Sequence, residues 1–120
     1  ALDRDPMEAT VVGVAVDTPL RIEDPQVPVV IYPLEMGHVP DMVFVFVEGV
    51  DLLYGGDLYI SGLARDLRAG KKRPADILPF HAAKSLDDGI RQYQLKVSSL
   101  VGSHDQQAVT YSDLVNYLSD

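Results

Sequence analysis

Cysteine and tryptophan are both absent from the 120 residues. Without cysteine, this chain can supply no disulfide, Fe–S cluster, thiolate zinc site or cysteine nucleophile. Long apolar runs are missing too. The longest, Met42 to Val47, falls far short of the roughly 20 residues that carry a helix across a bilayer. Positive charge is scarce: ten Lys and Arg against eighteen Asp and Glu give a net charge of −8. A net-acidic chain is a poor match for nucleic acid, where affinity comes from neutralising phosphates.

What charge there is lies unevenly. Residues 1–64 hold eleven acids and only Arg4 and Arg21 as bases, whereas residues 65–120 hold eight bases and seven acids. Half of all the bases form one short run: Arg65, Arg68, Lys71, Lys72 and Arg73. An acidic half and a basic knot on one chain suit electrostatic docking. At 47% hydrophobic residues, the chain can bury a core, and its length fits one β-rich domain over 1–120 with residues 1–8 as a loose lead-in. It reads as a soluble protein of unassigned compartment. The initial Ala1 is consistent with a mature exported protein or an excised domain.

Short β-branched runs punctuated by Pro and Gly set the expected architecture. Thr10–Val16 has no charge on either face and predicts a strand covered on both sides. Val29–Tyr32, bracketed by Pro28 and Pro33, predicts a short strand near an edge. Met42–Val47 alternates valine with Phe44 and Phe46 and has no polar residue, so it predicts a central strand with both faces buried. Gly55-Gly56 predicts a hairpin turn into a strand at Asp57–Ser61. Asp87-Asp88-Gly89 reads as a turn before Ile90–Val97, where Tyr93, Leu95 and Val97 alternate against Gln92, Gln94 and Lys96 as in a half-exposed strand. Leu86, Ile90, Tyr93 and Val97 also fit helical spacing. Thr110–Asp113 resembles a capping box, and a helix is expected over Tyr111–Leu118. The fold class is mainly β: an antiparallel sandwich or partly open barrel with a short C-terminal helix, with α+β as the alternative.

Groups suited to catalysis are sparse and uncoupled in sequence. His38, His81 and His104 show no HxH or HxxxH spacing. His38 has Glu35 nearby and His104 has Asp105, so each could form a local imidazole–carboxylate pair. Gly102-Ser103-His104-Asp105 puts three triad residue types side by side, but adjacent side chains cannot generally adopt triad geometry. No GxSxG elbow, phosphate loop or EF-hand is present. The sequence alone therefore favours a non-catalytic binding module, meaning an accessory, adaptor or assembly subunit. Its expected partner is another protein or a second copy, engaged through Tyr54, Arg65, Arg68, Lys71, Lys72 and Arg73. No cofactor, metal ligand or catalytic residue is assigned. One alternative is a small-ligand barrel with His38 and His81 as acid–base groups. Another is a self-assembling structural subunit whose charge poles meet head to tail.

Overall fold

Six short strands follow one another across a single sheet in chain order: β1 (Leu20–Ile22), β2 (Val29–Leu34), β3 (Met42–Val47), β4 (Leu52–Tyr54), β5 (Ser99–Val101) and β6 (Val109–Thr110). Among the described residues two helices of a full turn or more accompany the sheet, α1 (Leu78–Gln92) and α2 (Tyr111–Ser119). The computed structural model describes residues 9–15, 17–34, 42–61 and 78–119. The fold is mainly β with a short C-terminal helix, and the sheet is open rather than closed into a barrel. All neighbouring strands run antiparallel except β4 and β5, which are parallel. A parallel pair needs a long crossover, and α1 lies within the one that joins β4 to β5.

Local chemistry explains the hairpins. Asp24 Oδ1 accepts from the backbone N–H of Gln26 and of Val27, both at 2.8 Å. These bonds hold the carboxyl below its ordinary pKa and close the turn between β1 and β2. The β3–β4 turn passes through positive φ at Gly49 (90°) and Asp51 (51°), residue types that tolerate the left-handed region. This turn therefore lies upstream of Gly55-Gly56, where the sequence had placed it, and the segment 57–61 is not a strand. Pro33 is accommodated inside the sheet because β1 reaches only as far as Ile31, so no ladder partner needs the missing N–H. The adjacent Pro33 carbonyl accepts from Tyr93 Oη at 2.8 Å.

The core forms on one face of the sheet. Phe44, Phe46, Leu53 and Leu100 meet Ala82, Ala83, Leu86 and Ile90 of α1 and Leu114 and Tyr117 of α2. Tyr32 stacks on Phe44 at 5.3 Å and meets Tyr93 at 4.5 Å. Met42–Val47 is a strand with the expected bounds, but its valine face is not buried. Val43 is 41% exposed, and Val45 and Val47 are half-buried, because both helices pack on the phenylalanine side. Thr10–Ala15 is irregular rather than a covered strand, and Val11 is 94% exposed.

The largest departure from the sequence reading is α1. One helix replaces the expected turn at Asp87–Gly89 and the start of the expected strand at Ile90. Ala82, Ala83, Leu86 and Ile90 lie along its buried stripe, the 3.6-residue period that competed with alternation. Gly89 belongs to that contact, since a Cβ there would come within 2.7 Å of Leu34 Cδ1 and 3.1 Å of Phe44 Cε1. The helix ends in a Schellman arrangement: the Leu95 N–H donates to Ile90 O at 3.0 Å and the Gln94 N–H to Arg91 O at 3.1 Å, with Gln94 at φ 54°. Glutamine occupies the position where glycine would have signalled the stop.

Candidate active site

The parallel pair determines where two distant loops meet. Strands β4 and β5 end side by side at Tyr54 and Val101, and the chain leaves both in the same direction. In open sheets with parallel strands, ligands collect beyond the carboxyl ends, where such loops diverge. Here the two loops are residues 55–61 and 102–105. The Gly55 N–H donates to Val101 O at 3.0 Å and the Ser103 N–H to Gly56 O at 3.0 Å, so the loops are bonded together backbone to backbone.

Asp57 and His104 face each other across this junction, with His104 Nε2 3.3 Å from Asp57 Oδ1. Their side chains are 67% and 65% exposed, so the pair is open to solvent. His104 thus has a carboxylate partner far away in sequence, not the adjacent Asp105. Asp105 turns inward: its Oδ1 accepts from Ser61 Oγ at 2.9 Å and its Oδ2 from the Gly102 N–H at 2.9 Å. Gly102 is required where the loops touch, because a Cβ there would stand 2.8 Å from Tyr59 O and 2.9 Å from Gly56 O.

Tyr59 anchors the first loop. Its ring is buried, lies 5.8 Å from that of Tyr117, and its hydroxyl donates to Asp113 Oδ2 at 2.6 Å. Burial first, and then the bond to Asp113, raise its pKa far above that of an ordinary tyrosine. Asp113, the acid expected to cap α2, therefore also holds the Asp57 loop. Beside the pair, Tyr54 Oη and Ser103 Oγ lie 2.7 Å apart.

Of the residues singled out in the sequence, Tyr54 is 42% exposed and belongs to this cluster. Arg65, Arg68, Lys71, Lys72, Arg73 and His38 lie outside the described residues. His81 lies on α1, edge-on to Phe80 at 6.1 Å, on a different element from the Asp57–His104 pair. Sequence reasoning missed Asp57. The signal was slight: Gly56-Asp57 follows one apolar strand and Gly102-Ser103-His104 another, at different spacings from the glycine.

No protein-family model and no curated protein matches the sequence. Solved structures do share the fold. TMB-1, in a structure concerned with substrate and inhibitor binding, matches at a TM-score of 0.58 and 19% identity, covering 98% of this chain and 50% of that one. A metallo-β-lactamase from Pontibacter korlensis matches at a TM-score of 0.57 and 24% identity, covering 98% of this chain and 51% of that one. This chain therefore spans about half the length of either. The likeness to a structure that carries the name metallo-β-lactamase corrects the expectation of a non-catalytic binding module, and the open sheet corrects the barrel alternative. At this level of identity, what the chain has in common with the metallo-β-lactamases is their fold.

Proposed function

We propose that this chain contributes to a metal-dependent hydrolase built on the metallo-β-lactamase fold, with Asp57 and His104 as metal donors. The observation that carries this reading is the meeting of one carboxylate and one imidazole, from loops remote in sequence, beyond the ends of the parallel strands. Carboxylate oxygen and imidazole nitrogen are donor types that zinc takes at about 2 Å. Both side chains are open to solvent, which leaves room for further donors and for substrate. Among the described residues no group of three His, Asp or Glu side chains gathers, and zinc takes about four ligands. The pair therefore fits as a share of a site, in keeping with a chain half as long as its structural neighbours.

A metal held there by Asp57 and His104 would supply Lewis-acid activation of water for hydrolysis. The chain's own residues position and support. Asp57 and His104 hold the donor atoms, Tyr59 fixes the first loop to the core, and the Tyr54 and Ser103 hydroxyls offer hydrogen bonds beside the pair. The reaction class is metal-assisted hydrolysis, and a β-lactam amide is the substrate to assay first, after the name the neighbours carry. Isothermal titration with zinc tests the donors. The wild type should bind zinc with the modest affinity of a partial donor set, and Asp57→Asn and His104→Ala should each abolish that binding. A wild type without zinc affinity, or binding that survives the double substitution, refutes the assignment.

A further inference from the structure

Resting on that reading, we infer that Asp105 is the positioning residue that sets Asp57 and His104 at metal-binding separation. Its half-buried carboxylate bridges the two loops that bear the donors. Oδ1 accepts from Ser61 Oγ at 2.9 Å, and Ser61 lies four residues beyond Asp57 along the chain. Oδ2 accepts from the Gly102 N–H at 2.9 Å, and the Asp105 N–H returns to Gly102 O at 3.2 Å, which folds residues 102–105 into the turn that presents His104.

Both carboxylate oxygens are thus engaged inward, so Asp105 acts through its neighbours and not as a ligand. Ser61 is itself buried, which fixes the far end of the bridge. Among the described residues the junction is also tied by the Gly55 N–H to Val101 O and Ser103 N–H to Gly56 O bonds and by the contact of Tyr54 Oη with Ser103 Oγ; none of these involves Ser61. Metal geometry tolerates errors of only about 0.5 Å in its supporting groups, and outer-shell partners of metal ligands commonly account for 10- to 100-fold in affinity.

The test uses the whole chain, zinc titration calorimetry, the visible spectrum of the cobalt-loaded protein, and thermal midpoints to check folding. Asp105→Ala should weaken zinc binding by about 10- to 100-fold and alter the cobalt spectrum. Asp105→Asn keeps one acceptor oxygen and should fall between Asp105→Ala and the wild type. Ser61→Ala, which cuts only one end of the bridge, should also weaken binding. Asp88→Asn, an exposed acid of α1 paired with Lys84 at 3.1 Å, should change neither readout. A folded Asp105→Ala that binds zinc as tightly as the wild type overturns the inference and leaves the metal reading standing. A wild type that binds no zinc overturns both. Should Asp105→Ala fail to fold, unchanged zinc affinity in Asp105→Asn and Ser61→Ala overturns the inference.

Discussion

Gly102→Ala should damage the protein more than one methyl group would ordinarily suggest. The new Cβ would lie 2.8 Å from Tyr59 O, 2.9 Å from Gly56 O and 3.1 Å from Asp105 Oδ2. Comfortable non-bonded contact to carbon begins near 3.5 Å, so the two backbone contacts are short by about 0.6 Å. Neither oxygen can rotate away, because each belongs to the main chain of a loop bonded to its neighbours. Overpacking generally costs about 1–3 kcal/mol, and rigid opposition puts this case in the upper half. Replacing glycine also restricts the unfolded chain and returns about 0.4–1 kcal/mol. The net loss is about 2 kcal/mol, which for a domain of this size lowers the thermal midpoint by roughly 6–10 °C. Gly13→Ala is the control, since nothing lies within 4 Å of its Cβ position. Differential scanning calorimetry reads both. A Gly102→Ala midpoint within about 2 °C of the wild type would refute the packing argument.

Two further outcomes follow from other groups. Asp87 is buried and accepts from Tyr111 Oη and from Arg91 Nε, the latter at 2.9 Å, so Asp87→Ala should cost about 2–3 kcal/mol in urea unfolding. Arg91→Ala, at the exposed end of that pair, should cost under about 1 kcal/mol; equal losses for the two would contradict the burial argument. Burial raises the pKa of Tyr32, Tyr59, Tyr93, Tyr111 and Tyr117, with Tyr111 pushed up to about 12. Their protonated forms are favoured in the folded state, so this contribution is complete below pH 10 and is lost as pH rises toward 12 and beyond. Phenolate absorbance should therefore appear late and together with loss of the far-ultraviolet dichroism signal. Phenolate formed in full near pH 10, with the fold intact, would contradict it.

The legible parts of the sequence were those where one period stood alone. Met42–Val47 and the helix from Tyr111 were both readable, the first from unbroken β-branched and aromatic residues, the second from its polar start and apolar stripe. Helix α1 was not, because Tyr93–Val97 alternates while Leu86 and Ile90 keep helical spacing, and Gly89 looks like a turn until its contact with Leu34 and Phe44 is known. Which face of a strand is covered is also absent from its own residues: Val43 and Phe44 are equally apolar, yet only one meets helices. The site escaped for a related reason. His104 has an acid beside it in sequence, and Asp57 becomes its partner only through the parallel pairing of β4 with β5.

That pairing also bears on the order of events during folding. Strands β1 to β4 register through short connections, each able to close soon after its own residues are free. The β4–β5 ladder has to bring together Leu52 and Ser99 across a long intervening loop, and such closures come slowly because their entropy is lost before any contact rewards it. A nascent chain halted ahead of Ser99 could zip its early meander and still lack the Asp57–His104 pair. Assembly of the Asp57–His104 pair would accordingly be among the last acts of folding.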